Sequence, residues 1–369
     1  MKKLLSNKIY LFLIVLPLMT ISCVKLHRGS DPVCSFDAQF LQLTDTMGYC
    51  RVDVLNPWQE GQLLSRLYLV EDEAVETPTD APRVRVPLER LAVTSATQMG
   101  FLHALDADAC VCALATPHLI YNAPAHETVD LGEDFNLSVE RLLLSTPQLV
   151  LMTSYGESLT NVARIREAGI PVLEIVEWME QDPLGRAAWI RLYGALTGHR
   201  VEADTLLAEV ERDYCAIMQE TQLAVAQACT LATGESYRGT WYVPSGSTYM
   251  GKLIAASGAQ YAFSDRESTG SIPLTLEQAL TTFNAADVWI GVNANTLDEL
   301  ADIDSKHTWM KAYQSGRVYN WRRRTTPAGG NDFWETGIVH PEYILQDIQW
   351  ALDSTAMPNY EPHFIKRLQ

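Results

Sequence analysis

The chain has 369 residues, a formal net charge of −17, and an ordinary balance of 47% hydrophobic and 20% charged residues. A chain of this length can bury the cores of two domains. Its excess of acidic residues would be repelled by a phosphate backbone, so we do not expect it to bind nucleic acid.

The first 22 residues have the pattern of an export signal. A lysine-containing start is followed by an apolar run, Ile9–Ile21, which is too short to span a bilayer as a permanent helix. Cys23 follows the small residue Ser22, an arrangement that resembles a bacterial lipobox. We therefore expect residues 1–22 to be a lipoprotein signal peptide and Cys23 to carry the lipid anchor. The alternative is a secretory peptide with a Cys there by chance.

The mature protein is expected in the periplasm, held to a bacterial membrane by acyl chains, because no later apolar run is long enough to span a bilayer. Disulfides persist in that compartment, and Cys34 with Cys50 is one plausible pair. Cys110 and Cys112 fall on one face of a predicted strand, but no CxxC or nearby His completes a ligand set. We predict neither a metal site nor a cofactor.

Residues 23–83 are interpreted as a tether and N-terminal extension. Two β-like runs, RVDVL and LSRLYLVE, are separated by Asn56-Pro57 and could form a hairpin. Residues 84–181 then alternate apolar strands with short helices, for example the strand 148–153 and the helix 158–168. This alternation over short loops indicates βαβ units around a parallel sheet, and it predicts an N-terminal α/β lobe.

A helical pattern of apolar residues continues through residues 182–220. Pro183 stands where a first helical turn tolerates it, and Gly198 marks a point at which the helix could bend. The strand and helix rhythm returns in residues 221–369, which predict a C-terminal α/β lobe. The expected fold class is α/β, with two lobes, each a mainly parallel sheet with flanking helices, joined by one long α-helix.

The loops that follow the predicted strands contain aromatic, hydroxyl and Arg side chains, with no nucleophile and base at a diagnostic spacing. Residues 237–249 are predicted as a loop in which Trp241, Tyr242 and Tyr249 would hold a ligand together with Arg324. The alternative is that the Trp residues belong to the core and that the Arg run at 322–324 is solvated. The Gly- and Pro-rich stretch 327–337 either caps the last helix or presents Trp334 to a cleft.

Four stretches of this chain resemble substrate-binding proteins of ABC importers for ferric siderophores, haem and cobalamin, over roughly residues 85–349. They are RLAVTSATQMGFLHAL, FNLSVERLLLSTPQLVLM, IPLTLEQALTTFNAADVWI and GRVYNWRRRTTPAGGNDFWETGIVHPEYILQDI. The resemblance implies a monomeric protein that binds a metal chelate between its lobes with little lobe movement. Its partners would be an ABC permease and ATPase.

The resemblance also implies roles for individual residues. Glu140 and Glu277, each at the start of a helix, would dock on Arg residues of the permease. The implied ligand contacts come from both lobes: Thr97, Gln98, Tyr155, Trp241, Tyr242, Arg324 and Trp334. The residues Tyr49–Pro82 lie outside the usual family core, and the chain lacks an obvious set of three pocket Arg residues. A trihydroxamate, a catecholate, haem and a corrinoid all remain open as ligands.

Two alternatives come from other functional classes. Related two-lobed folds insert or remove metals from tetrapyrroles, and such a chelatase-like enzyme would need a cleft His beside a carboxylate. His118 or His126 with Glu157 is the candidate set. A surface adhesion or scaffold lipoprotein would instead carry a flat aromatic patch and bind no ligand. We expect a binding protein and not an enzyme.

Overall fold

The computed structural model describes residues 37–156, 160–223 and 229–369, all within one compact unit. The predicted signal peptide, the lipidation site Cys23 and the Cys34 of the suggested disulfide lie outside the described residues. Cys50 carries a buried, free thiol, and burial raises its pKa.

An N-terminal sheet is the first element of the described chain. Its strands, adjacent in chain order, are β1 (Leu41–Asp45), β2 (Tyr49–Leu55), β3 (Leu63–Val70) and β4 (Arg83–Arg85). β2 and β3 form the predicted antiparallel hairpin. The carboxylate of Glu180 accepts the backbone N–H groups of Gln39 and Phe40. Since Val52 and Leu67 of this sheet are fully buried, the extension is part of the folded core.

The first lobe is built on a parallel sheet with the strand order β7-β6-β5-β8-β9. Its strands are β5 (Leu91–Val93), β6 (Val111–Leu114), β7 (Val129–Asp130), β8 (Leu149–Thr153) and β9 (Val172–Ile175). Its helices are α1 (Ala96–Ala104), α2 (Val139–Leu144) and α3 (Thr160–Glu167). β5, β8 and β9 are buried throughout, as expected for a parallel sheet covered on both faces.

The connecting stretch forms three helices: α4 (Pro183–Ala187), α5 (Ile190–Thr197) and α6 (Arg200–Leu223). The long helix is therefore α6, which starts after the bend that the sequence predicts. Gly198 caps α5 with a φ of +81°, a left-handed conformation that ends the helix there. α5 packs on α1 and α6 packs on the last helix of the chain, so the connection contacts both lobes.

The second lobe contains a mixed sheet with the order β10-β14-β15-β16 and an antiparallel sheet with the order β11-β12-β13. Its strands are β10 (Leu231–Thr233), β11 (Ser236–Tyr237), β12 (Thr240–Pro244), β13 (Ser271–Thr275), β14 (Val288–Ile290), β15 (Val318–Asn320) and β16 (Lys366–Arg367). Its helices are α7 (Tyr249–Ala256), α8 (Leu276–Phe283), α9 (Leu297–Ile303), α10 (Lys311–Gln314), α11 (Thr336–Val339) and α12 (Pro341–Leu352).

These elements confirm the predicted fold class. β10, β14 and β15 are parallel, and only β16 runs against its neighbour. The predicted aromatic loop 237–249 is a difference, because its residues Thr240–Pro244 form β12, which pairs with β13. Within the described residues, no helix has the length and apolar character needed to cross a membrane.

Candidate functional site

A cleft of about 630 Å³ lies where loops of the two lobes face each other. The loops from the first lobe follow β5, β6 and β7, and those from the second lobe follow β14 and β15. In parallel α/β sheets, ligands bind outside the carboxyl ends of the strands, which is where these loops lie. The lining residues are Thr94, Ser95, Ala96, Thr97, Thr116, Leu119, Glu133, Asp134, Phe135, Gly291, Val292, Asn293, Trp321, Arg322, Thr325, Gly329, Asn331, Phe333 and Trp334.

Aromatic rings form much of the cleft wall. In the second lobe, Trp321 stacks on Phe333 with 4.9 Å between ring centroids, and the ring of Trp334 meets Phe333 edge-on at 4.8 Å. Phe135 faces them from the first lobe and is 68% exposed. Wide apolar faces at the mouth of a cleft suit a large, flat ligand.

The charges of the cleft are divided between the lobes. Glu133 and Asp134 lie on the first-lobe wall, and Arg322 lies on the second-lobe wall. Arg322 donates to the backbone carbonyl of Asn293 at 3.4 Å, and no described carboxylate forms an ion pair with it. The cleft therefore presents acidic and basic groups to opposite ends of a bound molecule.

Three of the predicted ligand contacts lie in or beside this cleft. Thr97 and Trp334 line it, and Trp334 is 50% exposed. The hydroxyl of Thr97 donates to the buried carboxylate of Glu177. Tyr155 lies at the rim, where it stacks on Phe135 with 5.0 Å between centroids.

Trp241 and Gln98 are placed in the core. Trp241 is fully buried, stacks on Trp289 at 5.3 Å and donates from Nε1 to the carbonyl of Thr233. Trp241 and Tyr242 are successive residues of β12, and successive residues of a strand face opposite sides of the sheet. Tyr242 is therefore exposed, whereas Trp241 is buried. Gln98 is also fully buried, because its side chain bridges the ends of β5 and β8 through Thr94 and Thr153. The sequence predicts both residues as ligand contacts, but the structure buries both side chains in the core.

Tyr242, Tyr249 and Arg324 do not line the cleft. Tyr249 is the first residue of α7, and its ring lies 5.1 Å from the guanidinium of Arg186. Arg324 pairs with Asp332 through Nε at 2.9 Å and lies over the ring of Tyr121. The Arg that lines the cleft is Arg322, two residues earlier.

Several cleft residues were not predicted from the sequence. Phe135 follows β7, a two-residue strand that is not predicted from the sequence, so no local signal points to it. Trp321 directly follows β15, and that position is the signal that could have found it. Two further Trp residues lie beside Tyr155 in a chain of rings. The ring centroid of Trp178 lies 5.8 Å from that of Tyr155, and the ring centroid of Trp58 lies 6.3 Å from that of Trp178. Trp58 belongs to the N-terminal extension, so only the tertiary structure brings it here.

A buried carboxylate joins the two lobes beside the cleft. Glu335, fully buried in the second lobe, accepts the backbone N–H groups of Tyr121 and Asn122 in the first lobe. Burial, the largest effect, raises the pKa of Glu335, and these hydrogen bonds act against it. The stretch 327–337 thus presents Trp334 to the cleft and also ties the lobes together.

Glu140 and Glu277 occupy equivalent positions in the two lobes. Each follows an N-cap hydroxyl residue by two positions, Ser138 before α2 and Thr275 before α8. Both side chains belong to exposed residues. Hydrogen bonds from its own backbone N–H and from Ser138 lower the pKa of Glu140, so it is charged at neutral pH.

The residues of the chelatase alternative do not converge on the cleft. His118 and His126 are exposed and do not line it, and Nε2 of His126 lies 2.7 Å from the carbonyl of Val111. Glu157 lies outside the described residues. Within the described part of the chain, no group of three or more His, Cys, Asp or Glu side chains could hold a metal ion.

Comparison with known proteins shows the family. Residues 91–325 match the model of a periplasmic binding protein family. The chain belongs to this family. The match spans the first parallel sheet, the connecting helices and most of the second lobe. It includes the first-lobe wall of the cleft and part of the second-lobe wall, and it ends before Phe333 and Trp334.

Individual relatives are distant. An uncharacterized lipoprotein of Methanocaldococcus jannaschii is 22% identical over 295 residues, 76% of this chain and 69% of that protein. A cobalamin-binding protein of Halobacterium salinarum is 28% identical over 197 residues, 53% of this chain and 52% of that protein. The periplasmic haem-binding protein RhuT of Roseiflexus has the same fold, with a TM-score of 0.55, 19% identity, and coverage of 73% of this chain and 99% of that one.

Proposed function

We propose that the protein is a lipid-anchored substrate-binding protein of an ABC importer. It captures a metal chelate, namely a ferric siderophore, haem or a cobalamin-like corrinoid, in the cleft and delivers it to the permease. Its role is binding and delivery, without catalysis.

The observation that carries this proposal is the aromatic cleft at the carboxyl ends of the parallel strands in both lobes. Its volume of about 630 Å³ is that of a site for a sizeable small molecule. Affinity would come from contact with Phe135, Trp321 and Trp334, and orientation from a few polar groups. The family match supports a binding role, and relatives whose names include haem and cobalamin support this ligand class.

Within that class, the cleft favours a chelate of low net charge. A strongly anionic chelate would meet Glu133 and Asp134 on the first-lobe wall, with Arg322 as the cation that opposes them. Like charges brought together in a cleft reduce affinity. A corrinoid, whose edge carries mainly neutral amides, fits this division of charge better than a trianionic catecholate complex.

The delivery step rests on Glu140 and Glu277. Both are exposed at helix N-termini in equivalent places of the two lobes, so a permease with two cationic sites could bind them together. Because Glu335 and the connecting helices hold the lobes, the bound state would be reported by small shifts at these two carboxylates. The anchor at Cys23 would keep the protein near the permease.

A ligand screen tests this function. The purified protein is mixed with cyanocobalamin, haem, ferrichrome and a ferric catecholate, and thermal denaturation and native mass spectrometry are recorded. We expect at least one chelate to raise the melting temperature and to appear as a 1:1 complex, since a ligand that binds only the folded state stabilises it. Absence of binding by every chelate would contradict the proposal.

A further inference from the structure

Four exposed aromatic side chains form a continuous row that begins in the cleft and leaves it along the first lobe. Phe135 stacks on Tyr155 at 5.0 Å, Tyr155 lies 5.8 Å from Trp178, and Trp178 lies 6.3 Å from Trp58. Their exposed fractions are 68%, 41%, 38% and 39%. We call Phe135, Tyr155, Trp178 and Trp58 the aromatic shelf.

The shelf is held in place by polar contacts at the edges of its rings. The hydroxyl of Tyr155 donates to Asp134 at 3.1 Å, and Nε1 of Trp178 donates to the carbonyl of Ser154 at 3.0 Å. These bonds satisfy the polar atoms of Tyr155 and Trp178, and both rings remain partly exposed to solvent. Exposed parts of fixed rings contact a flat group at little cost in side-chain entropy.

Trp58 comes from the N-terminal extension, which lies before the residues that match the family. It is in the loop between β2 and β3, where the side chain of Asn56 accepts the backbone N–H of Trp58 at 2.9 Å. The indole packs against Gly156, where an added Cβ would lie 2.8 Å from the ring. The absence of a side chain at this position therefore allows Trp58 to reach the shelf.

The charges around the shelf are acidic. Asp134 bonds to Tyr155, Glu133 lies next to it in the chain, and the buried Glu177 directly precedes Trp178. Among the described residues that line the cleft, the first lobe contributes no Lys or Arg, and Arg322 comes from the opposite lobe. Such surroundings favour a neutral or cationic ring over an anionic one.

We propose that the aromatic shelf is a second part of the ligand site, and that it stacks on a neutral or cationic planar ring that the chelate carries outside its metal-binding ring system. The occupant is part of the cleft ligand because the shelf is continuous with the cleft through Phe135. This inference rests on the proposed function and makes Trp58 a specificity-determining residue.

Two corrinoids test the shelf. Cyanocobalamin carries a pendant nucleotide base, and dicyanocobinamide lacks it. Isothermal titration of the full-length protein is expected to show about tenfold tighter binding of cyanocobalamin, the size of effect that one good aromatic stack supplies. In Trp58→Ala the preference should fall to about twofold or less, with the affinity for dicyanocobinamide unchanged.

Matched variants separate this effect from a general loss of structure. Trp309→Ala removes another exposed Trp that lies outside the cleft lining, and it should keep the wild-type preference. Trp58→Phe retains an aromatic ring and should keep most of the preference for cyanocobalamin. If Trp58→Ala fails to fold, as judged by thermal denaturation, Trp58→Gln replaces it, because this variant keeps bulk without a ring.

The outcomes are distinguishable. An unchanged preference in Trp58→Ala, or equal binding of both corrinoids by the wild type, would overturn the shelf and leave the proposed function intact. Binding of only those chelates that carry no pendant planar ring would do the same. If the wild type binds no chelate, the proposed function fails and the shelf fails with it.

Discussion

The carboxylate of Glu335 in the second lobe accepts the backbone N–H of Asn122 in the first lobe at 2.8 Å. The same carboxylate accepts the N–H of Tyr121, and the backbone of Glu335 packs directly on α1 at Gly100. The connecting helices are therefore not the only restraint between the lobes. A contact at the side of the cleft holds them as well, which favours small lobe movement.

Removal of the Glu335 side chain is expected to destabilise the protein. Glu335→Ala leaves two partly buried backbone N–H groups without an acceptor, which costs about 2–3 kcal/mol in the free energy of unfolding. Urea unfolding measures this value. The matched control is Glu361→Ala, which removes an exposed partner of Arg323 and should cost less than about 0.5 kcal/mol. Equal costs for the two variants would refute the tie between the lobes.

A methyl group at position 100 is expected to push the lobes apart. The Cβ of Gly100→Ala would lie 2.5 Å from the carbonyl oxygen of Glu335, so the backbone must shift, at a cost of about 1–3 kcal/mol. Gly270→Ala is the control, because nothing lies within 4 Å of the added atom. Thermal denaturation compares the two. Full stability of Gly100→Ala would show that the contact yields easily.

Two Trp residues are expected to separate stability from binding. Trp241→Ala opens a cavity in the core and should cost about 3–5 kcal/mol, with chelate binding lost only through unfolding. Trp334→Ala removes a half-exposed cleft residue and should change stability by less than about 1 kcal/mol while affinity falls about tenfold. Calorimetry with the chelate found in the screen measures both. The reverse pattern would contradict the site.

The two exposed glutamates are expected to act in delivery and not in capture. Glu140→Ala combined with Glu277→Ala should abolish uptake by whole cells while the affinity of the purified protein stays as in the wild type. Glu202→Ala is the control, because Glu202 is also exposed in a first helical turn, that of α6. A loss of chelate affinity in the double variant would show that these residues are not docking sites.

Asp287 is expected to contribute to stability against acid. An ion pair with Lys311, followed by hydrogen bonds from Thr230, lowers its pKa from 3.8 to about 2. Because the folded-state value is the lower one, the stabilisation is complete above pH 3.8 and is lost as the pH falls through about 2. Solvent around the pair limits the effect to about 1 kcal/mol. Asp287→Asn should remove this pH dependence in urea unfolding, whereas Asp298→Asn should not.

The sequence by itself determined the fold class. Apolar runs separated by short helices are enough to predict parallel sheets, because strands buried on both faces have no polar side to display. The repeated phrases around Glu140 and Glu277 likewise place two equivalent helix starts, since an N-cap hydroxyl followed by Glu is a local pattern. Gly198 also marks the end of α5, because a left-handed cap is a property of one residue.

Only the tertiary structure decided which aromatic and charged side chains reach the cleft. Trp241 and Tyr242 are neighbours in sequence, yet strand pairing with β13 buries the first and exposes the second. Arg322 lines the cleft, whereas Arg324 pairs with Asp332. The two residues belong to the same run of Arg, so their tertiary contacts and not the local sequence set this difference. Trp58 joins the shelf from about 120 residues before Trp178, the ring that it lies beside. The sequence shows that such side chains are present, but long-range packing determines whether they face the cleft or the core.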